Sequence, residues 1–312
     1  MKKSSLFLIV LGLLIAAVAF PQNYILATGG TSGTYYPFGG AIAKILNDNI
    51  KGMNITAQAT GASKENLRLV GKGEAELAIV QNDAMDYAFK GIEGYEKITG
   101  FATMATLYPE VVQIVVSPDS KINSVKDMKG KRISVGAAGS GVEANAKQVL
   151  EAYGLTFKDL RTAARLSFNE SANAYKDKQI DGFFVTAGVP NTAIQDITTL
   201  GAVKILSIDA AGARKIKAKY KFYTDFSIPK EAYKGMTAPA ATVAVNATLI
   251  VKKDLPDDVV YQMTKALFEK KDMLGQAHAK GKELSLKLAV LGSPIPFHPG
   301  AAKYFKEQKV MK

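Results

Sequence analysis

The 312-residue sequence contains no cysteine and no tryptophan, and its only histidines are His278 and His298. Without cysteine, the chain has no means of forming a disulfide bond or a thiolate metal site, and a lipid anchor on an N-terminal cysteine is excluded. Two histidines leave no material for a metal site built from clusters of His and Cys. We therefore predict that the protein binds no metal. A cysteine-free chain also suits an oxidising compartment outside the cytoplasm.

Sustained hydrophobic runs are also missing, except at the N-terminus. Lys2 and Lys3 precede an apolar stretch at residues 6–18, and small residues occupy positions 17–19. This order is typical of a cleaved signal peptide, and the stretch is shorter than the ~20 apolar residues that a membrane-spanning helix needs. We predict a signal peptide over residues 1–19 and a mature protein in the periplasm that is not a lipoprotein. An uncleaved membrane anchor is the alternative interpretation.

Positive charge is in excess, with a net charge of +12. The densest runs are KDMKGKR at 126–132 and RKIKAKYK at 214–221. Neither run is interleaved with stacking aromatics in a nucleic-acid-binding module, so solvated helix and loop faces explain them better. We expect no nucleic-acid partner and at most a modest attraction for anionic ligands.

The sequence does contain an alternation of short β-type runs with amphipathic helical stretches, which indicates an α/β fold. The pattern occurs twice along the chain. Ser32-Gly33 and Ser140-Gly141 each follow a strand and open a helix, 108 residues apart, whereas Glu76 and Asp181 each precede an apolar strand, 105 residues apart. Two features with nearly the same offset predict two similar α/β lobes, each with helices on both faces of a sheet.

The middle and the end of the chain suggest how the lobes are connected. Two β-rich runs, FATMATLY and VVQIVVSP, are interrupted by Pro109, and the C-terminal part holds another strand-like run at residues 242–253 but no third glycine-rich turn. We expect this part to return to the first lobe, so that crossings near residues 108–112 and 235–241 form a two-segment hinge. The predicted domains are lobe 1 at residues 20–110 and 239–312, and lobe 2 at residues 111–238.

The two glycine-rich turns are the main candidates for a ligand site. A helix N-terminus presents unpaired N–H groups and a partial positive charge, so it binds anions without a cationic side chain. Thr31, Ser32 and Ser140 add hydroxyl donors next to Gly33 and Gly141. In an open α/β sheet, ligands bind beyond the carboxyl ends of the strands, where both turns lie. Ordinary tight turns with helix caps are the structural alternative.

The known phosphate and catalytic motifs are incomplete in this chain. The segment GGTSG at residues 29–33 lacks the lysine of a P-loop and the glycine spacing of a dinucleotide fingerprint. Thr31 stands where a nucleophile elbow needs serine. A Ser-His-Asp triad would need His278 or His298 to reach a turn. We therefore predict no cofactor and no catalytic residue, and a protein that binds its ligand without turnover.

Residues at the ends of other predicted strands complete the set of ligand-site candidates: Thr60, Ser63, Gln81, Asp83, Gly188 and Pro190. Ser63 and Asp83 are also predicted as N-caps of the helices that follow them. One of Tyr35 and Tyr36 is expected to face the ligand while the other packs in the core. Asn145 is expected either to reach the cleft or to face solvent.

Seven blocks of the sequence resemble, in order, the TAXI family of solute-binding proteins, which serve TRAP transporters. The blocks are ATGGTSGTYYPFGGAIAKIL, TGASKENL, AELAIVQND, LYPEVVQIVV, KGKRISVGAAGSGVEANAKQVL, FFVTAGVPNTAI and PIPFHPGAAKYFKE. The resemblance extends from about residue 24 to the C-terminus. It implies a type II periplasmic-binding-protein fold, in which two α/β lobes close on a ligand. It also implies capture of an amino acid or a dicarboxylate-like acid, with glutamate and glutamine prominent, and delivery to an ion-driven permease, usually one fused chain.

Carried over by position, the resemblance assigns ligand contacts to thirteen residues: Thr31, Ser32, Gly33, Tyr36, Thr60, Ser63, Gln81, Asp83, Ser140, Gly141, Val142, Gly188 and Pro190. A hydroxyl residue is expected at position 142, so Val142 departs from the family pattern and leaves the identity of the ligand open. Asp83 and Glu110 are the candidates to pair with a ligand amino group. A monomer is the expected oligomeric state.

Three other functions stay open. The same fold serves ABC importers, although the tail block PIPFHPG argues against that assignment. A secreted hydrolase would use a glycine-rich turn as an anion cradle, but no nucleophile–base pair supports it. A sensory or adhesion module without transport is the third possibility, and linkage to a permease would separate it from the others.

Overall fold

The computed structural model describes residues 22–199, 201 and 203–312, so the predicted signal peptide lies outside the described residues. The strands are β1 (Gln22–Ala27), β2 (Met53–Gln58), β3 (Leu77–Gln81), β4 (Phe101–Val116), β5 (Arg132–Ser134), β6 (Thr162–Ala164), β7 (Gly182–Ala187), β8 (Lys204–Leu206), β9 (Thr224–Ile228) and β10 (Ala240–Lys252). The helices are α1 (Tyr35–Asn49), α2 (Ser63–Gly71), α3 (Asn82–Lys90), α4 (Gly141–Ala152), α5 (Phe168–Lys176), α6 (Thr192–Thr198), α7 (Ala210–Lys219), α8 (Asp257–Glu269), α9 (Lys271–Ala277), α10 (Leu286–Ala289) and α11 (Pro299–Glu307). None of the helices described here is both long enough and apolar enough to cross a membrane.

The strands form one mixed sheet whose two ends repeat the same unit. Its order is β2-β1-β3-β10-β4-β7-β5-β6, with β8 added on β4 and β9 on β10. In one half β1 pairs in parallel with β2 and β3, and in the other half β5 pairs in parallel with β6 and β7. Parallel strands require crossover connections, and helices supply them here. The predicted α/β architecture of two similar lobes is confirmed.

Two acidic residues mark equivalent positions in these halves. The Glu76 N–H donates to the Ile25 carbonyl at 3.2 Å, and its carboxylate accepts the Ile25 N–H at 2.9 Å. Asp181 forms the same pair of bonds with Arg132, at 2.7 and 2.8 Å. Each acid thus holds the start of one strand to the middle strand of its unit. The spacing noticed in the sequence corresponds to a repeated tertiary contact.

Each half of the sheet has an apolar core on both faces. In the first half, Phe38 and Phe305 pack on one face, and Leu67 and Val80 on the other. In the second half, strand β4 alternates between the two cores: residues 112, 114 and 116 enter one, and residues 111 and 115 enter the other. This alternation follows from the two-residue period of a strand. The result is a doubly wound sheet with helices on both sides.

Strands β4 and β10 connect the two halves and form the two-segment hinge. They pair in antiparallel register from Val111 opposite Ala244 to Phe101 opposite Lys252. The first part of β10 also pairs with β9, whereas residues 247–251 pair with β3. On β4, residues 111–116 pair with β7. The proposed boundaries of the lobes, at 110/111 and 238/239, stay a prediction.

Pro109 lies inside β4, although the sequence showed it as an interruption between two β-rich runs. It stands opposite Asn246, whose N–H points away from β4 and donates to Asn82 Oδ1 at 3.0 Å. Residues 109 and 246 therefore form a non-hydrogen-bonded pair, in which the backbone nitrogen of each residue faces away from the other strand. The pairing of β4 with β7 begins only at Val111. The missing N–H of proline costs no ladder bond here, so the strand continues through it.

Candidate functional site

The first glycine-rich turn, residues 28–34, lies between β1 and α1. The Gly33 N–H donates to the Gly30 carbonyl at 2.9 Å, which closes the turn through the backbone. Thr34 is the N-cap of α1, and its side chain makes no capping bond. The first N–H groups of a helix have no carbonyl partner within the helix. Pro37 has no N–H, so the donors at the start of α1 come from the residues before it, Tyr35 among them. The turn therefore presents backbone donors.

The second turn, residues 135–140, leads from β5 to α4 and is held by a backbone bond from the Ser140 N–H to the Ala137 carbonyl at 3.0 Å and by two side-chain bonds. Ser140 Oγ accepts the Glu143 N–H at 3.2 Å, and the Glu143 carboxylate accepts the Gly139 N–H at 2.8 Å. Gly136 has φ +96°, and a Cβ there would stand 2.7 Å from the Cβ of Val142. Ser140 is thus a helix cap, and glycine is required at position 136.

A small cavity of about 50 Å³ lies where these turns meet the ends of β3 and β7. Its lining combines residues of both lobes: Gly29, Gly30, Gly33, Thr34, Tyr35, Ala62, Ser63, Gln81, Glu110, Gly141, Val142, Phe168, Thr186 and Ala187. Five of the thirteen predicted site residues are among them: Gly33, Ser63, Gln81, Gly141 and Val142. This volume holds only a few water molecules. A solute of amino-acid size therefore requires the lobes to separate further or side chains to move.

Two polar side-chain atoms at this cavity have no hydrogen-bond partner among the described residues: Gln81 Oε1 and Thr186 Oγ1. Gln81 is 2% exposed and comes from the first lobe, whereas Thr186 is 3% exposed and comes from the second. Buried polar atoms are almost always paired, because leaving one unpaired costs about 1–3 kcal/mol. One such atom from each lobe indicates a place for a polar ligand.

The lobes touch closely at Gln81. A Cβ added to Gly141 would lie 1.9 Å from Gln81 Oε1, so only glycine allows α4 to approach the end of β3 this far. The Gln81 N–H donates to Ser63 Oγ at 3.1 Å, which fixes the strand end against α2. Gln81 is thereby positioned from its own lobe and covered by the other.

Glu110, in β4 near the crossing between lobes, is the acid at this cavity. It is 2% exposed, and the Tyr35 hydroxyl donates to its carboxylate at 2.6 Å. Burial raises the pKa of Glu110 to about 8, while hydrogen bonding from Tyr35 and Gln81 acts in the opposite direction. Burial also raises the pKa of Tyr35 well above 10. No lysine, arginine or histidine is among the lining residues.

Several predicted residues lie outside the cavity. Thr31 is exposed, and the carbonyl of Ser32 accepts a bond from Asn191 Nδ2 at 3.4 Å. Tyr36 is 37% exposed, and Tyr35 is the tyrosine that lines the cavity. On the helix that begins here, only one of two adjacent side chains can point inward. Of the two tyrosines, Tyr35 lines the cavity and Tyr36, the one assigned to the site by the resemblance, does not.

Thr60 and Ser63 act within the first lobe. Thr60 Oγ1 donates to Asn66 Oδ1 at 2.6 Å and lies outside the cavity. Ser63 is the first residue of α2 and not its N-cap, which is Ala62. The expected capping role is therefore wrong, because the hydroxyl of Ser63 is taken by the backbone of the neighbouring strand end. The Glu65 carboxylate instead accepts the Gly61 N–H at 2.6 Å.

Asp83 is likewise not a helix N-cap, since α3 begins at Asn82 and Gln81 is in the cap position. Its carboxylate accepts the Ala84 N–H at 2.8 Å and a bond from Asn145 Nδ2 at 3.0 Å. Burial raises the pKa of Asp83 to about 6. Asn145 is buried and binds across the lobes, so it neither lines the cavity nor faces solvent.

The remaining predicted residues, Ser140, Gly188 and Pro190, also lie outside the cavity lining. A Cβ at Gly188 would lie 2.8 Å from Cγ of Lys280, so this turn of the second lobe packs on the C-terminal part of the chain. The peptide bond between Val189 and Pro190 is cis. These residues shape the contact between lobes next to the cavity.

Nine of the fourteen cavity residues are not among the thirteen predicted contacts: Gly29, Gly30, Thr34, Tyr35, Ala62, Glu110, Phe168, Thr186 and Ala187. Thr186 ends the apolar FFV strand, so its position carried the same information as that of Gln81. Phe168 comes from the start of α5, where no sequence pattern pointed to the cavity. The sequence predicts Glu110 only as a candidate partner for a ligand amino group.

A larger open groove, of about 720 Å³, lies at the far edge of the second lobe. Arg132 and Asp181 line it, but they already bind each other, with Nη2 and Oδ1 2.6 Å apart. None of the unpartnered buried atoms found in the described residues faces it. Nor do His, Asp and Glu side chains in the described ranges form a cluster suited to a metal ion. The small cavity between the lobes is therefore the better candidate site.

Comparison with known families matches residues 26–308 to the NMT1-like family. Among solved structures, PhnD1 from Prochlorococcus marinus in complex with methylphosphonate is 10% identical with a TM-score of 0.57, covering 93% of this chain and 96% of that one. A putative L-cystine ABC transporter protein from Listeria monocytogenes is 17% identical, with a TM-score of 0.54 and coverages of 85% and 98%. The alkanesulfonate-binding protein SsuA from Xanthomonas axonopodis pv. citri, bound to MOPS, is 16% identical, with a TM-score of 0.51 and coverages of 94% and 95%. The predicted periplasmic-binding-protein fold is confirmed.

Proposed function

Because the chain belongs to the NMT1-like family and has the fold of periplasmic solute-binding proteins, we propose that it captures a small organic acid or amino acid in the periplasm. The observation that carries this proposal is the small cavity between the lobes, which is lined by Gln81 from one lobe and Thr186 from the other, each with a buried side-chain oxygen that has no hydrogen-bond partner among the described residues. Such a pair of atoms stabilises a ligand only when both lobes close on it. The starts of α1 and α4 add N–H donors for a carboxylate.

The two lobes are held closed by contacts of α4 with α3 and with the loop that follows α3. Asn145 Nδ2 donates to Asp83 at 3.0 Å, and Gln148 Nε2 donates to the Tyr87 hydroxyl at 3.0 Å. Near the surface, Lys147 pairs with Glu93 at 3.3 Å. Opening the cleft breaks these bonds, so they stabilise the closed form, and hinge motion at β4 and β10 releases them.

Delivery to a TRAP-type permease is the finer part of the proposal, together with a monomeric state and export by a cleaved signal peptide. It rests on the sequence blocks that resemble the TAXI family. The structural relatives named above include proteins of ABC importers, so an ABC permease is the alternative. Uptake into vesicles that contain the cognate permease distinguishes them, because TRAP transport proceeds on an ion gradient without ATP.

Binding without turnover fits the positions of the two histidines better than hydrolysis does. His298 is buried, with Nε2 3.0 Å from the Leu255 carbonyl and Nδ1 accepting the Gly300 N–H. His278 Nδ1 accepts the Lys280 N–H. Neither lines the cavity, so neither is placed to act as a base on a hydroxyl there.

A thermal-shift screen of the mature protein against amino acids and mono-, di- and tricarboxylates tests the proposed function. A ligand at a hundredfold excess over its Kd stabilises the folded state by about 2.7 kcal/mol. We expect a clear upward shift of the unfolding midpoint with one or two of these compounds. Native mass spectrometry first establishes that the purified protein carries no bound solute. The absence of any shift in a ligand-free sample would contradict the proposal.

A further inference from the structure

The charge of the cavity is unusual for a site that receives an organic acid. Among its lining residues, Glu110 is the one acidic side chain, and there is no basic side chain. Gln81 Oε1 is a hydrogen-bond acceptor with no donor among the described residues, and Glu110 is an acceptor in its ionised form. A ligand with only carboxylate groups would therefore meet an acceptor at Gln81 Oε1, and a second one at ionised Glu110, where it needs donors. A ligand with an ammonium group would match them.

Asp83, the other candidate partner for an amino group, is in a different situation. It lies outside the cavity, and its two oxygens accept bonds from the Ala84 N–H and from Asn145. The Glu110 carboxylate is hydrogen-bonded by the side chains of Tyr35 and Gln81 and lies at the cavity surface. Its position at the cavity therefore favours Glu110 over Asp83.

We propose that Glu110, together with Gln81 Oε1, binds the ammonium group of the ligand, so that the solute is a zwitterionic amino acid and not a carboxylic acid without an amino group. The ligand carboxylate then lies toward Thr186 and the N–H groups at the starts of α1 and α4. This inference rests on the proposed binding function and narrows its substrate class. It also gives Glu110 the role of selecting between solutes that differ only in the amino group.

The first test compares matched pairs of compounds on the wild-type protein by calorimetry: L-alanine with propionate, and L-glutamate with glutarate. We expect the amino acid of a bound pair to bind at least about tenfold more tightly than its deamino partner. This comparison needs no variant, so it does not depend on how a substitution affects folding. Tighter binding of the deamino compound would overturn the inference.

The second test uses Glu110→Gln, which keeps the size of the side chain and removes its charge. We expect the affinity for the amino acid to fall by about 10- to 100-fold, whereas affinity for the deamino compound falls less or rises. Glu307→Gln is the matched control, because Glu307 also accepts a tyrosine hydroxyl at 2.6 Å, from Tyr261, but lies on the surface in α11. The control is expected to bind as the wild type does.

The third test measures the direction of proton transfer on binding. A protonated Glu110 would donate to a carboxylate, so its engagement with an ammonium group requires loss of that proton. Since the pKa of Glu110 is raised to about 8, binding of an amino acid should release protons below pH 8, and affinity should rise with pH up to that value. Binding of a carboxylate to the protonated acid would give the opposite slope.

Other titratable groups near Glu110 leave a usable pH window. Burial raises the pKa values of Tyr35 and Tyr108 well above 10, so both stay neutral. Asp83, which also acts on Glu110 electrostatically, has its pKa raised to about 6. Between about pH 6.5 and 8 the proton release is therefore assigned to Glu110, and Glu110→Gln should abolish it. Calorimetry in buffers of different ionisation enthalpy measures the protons released.

The outcomes separate failure of this inference from failure of the proposed function. If a carboxylate without an amino group binds, and Glu110→Gln binds it equally well, the protein is still a solute-binding protein but Glu110 does not select for an amino group. If no compound of either class binds to ligand-free protein, the proposed function fails and this inference fails with it. Selective binding of an amino acid, with proton release that depends on Glu110, supports both.

Discussion

The two glycine-rich turns follow equivalent strands and open equivalent helices, but they differ in how they are held. Both turns contain a backbone bond, from the Gly33 N–H to the Gly30 carbonyl in the first and from the Ser140 N–H to the Ala137 carbonyl in the second. In the second turn, Ser140 Oγ also accepts the Glu143 N–H and the Glu143 carboxylate accepts the Gly139 N–H, whereas in the first the N-cap Thr34 makes no side-chain capping bond. Hydroxyl residues beside a glycine therefore have different roles in the two lobes, although their sequence patterns are alike.

The contacts of the scaffold are more alike than those of the turns. Glu76 and Asp181 bind the backbone of Ile25 and Arg132 in the same way. A strand pairing must satisfy the same backbone groups in both lobes, whereas a turn at a ligand site must fit what lies across the cleft. The comparison separates residues that build each lobe from residues that adapt to the other lobe.

The largest expected effect comes from adding a methyl group at Gly141, next to the second turn. The matching change in the first turn, at Gly33, tests the comparison. In Gly141→Ala the new Cβ would lie 1.9 Å from Gln81 Oε1, so Gln81 must leave its position or the lobes must stay apart. We expect ligand affinity to fall about 100-fold, which corresponds to ~3 kcal/mol of overpacking and lost hydrogen bonding. In Gly33→Ala the nearest atom, the Gly30 carbonyl oxygen, is 3.2 Å away, so the loss should be much smaller.

Calorimetry with an established ligand measures both affinities. Gly40→Ala is the control, because a Cβ there meets nothing within 4 Å in the interior of α1. It should leave affinity unchanged and raise stability by roughly 0.5–1 kcal/mol. Equal losses in Gly141→Ala and Gly33→Ala would break the distinction between the two turns.

A second, smaller effect is expected from removing the repeated acids. Asp181→Ala should lower the free energy of unfolding by about 2 kcal/mol, because it leaves the Arg132 N–H and guanidinium without their partner, and Glu76→Ala by about 1 kcal/mol. Hydrogen bonds from Arg132 lower the pKa of Asp181 from 3.8. Its contribution is therefore present above about pH 4 and lost as the pH falls further. Urea unfolding at pH 7 and pH 3 measures this, and a penalty for Asp181→Ala that stays constant with pH would contradict it.

The smallest effect concerns the hydroxyl residues themselves. Ser140→Ala removes a helix cap and should cost about 1 kcal/mol of stability. Thr31→Ala, at an exposed position outside the cavity, should change stability by no more than about 0.5 kcal/mol and leave ligand affinity unaltered. Thermal unfolding and calorimetry check both variants. A marked loss of affinity in Thr31→Ala would show that the Thr31 hydroxyl contacts the ligand, as the sequence resemblance implies.

The accuracy of the sequence prediction depended on the kind of feature. Gln81, Gly141 and Ser63 were found at the cavity because strand ends and helix starts are visible in the hydrophobic pattern. The sequence prediction placed Tyr36 in the site, but its neighbour Tyr35 lines the cavity instead. It also placed Asp83 there, but Asp83 accepts a hydrogen bond from Asn145 of the other lobe. A shift of one residue along a helix turns a side chain by about 100°. Sequence boundaries are not known to that accuracy.

Local hydrophobic periodicity and backbone requirements encode the α/β architecture, its division into two similar lobes and the location of the glycine-rich turns, so these can be predicted from the sequence. That Pro109 continues a strand, that Asn145 binds Asp83 and that Glu110 lies at the cavity with Tyr35 is evident only in the folded chain. These features depend on which atoms of one lobe lie opposite the other. That arrangement is set by the hinge and by the pairing of β4 with β10, which no short stretch of sequence contains.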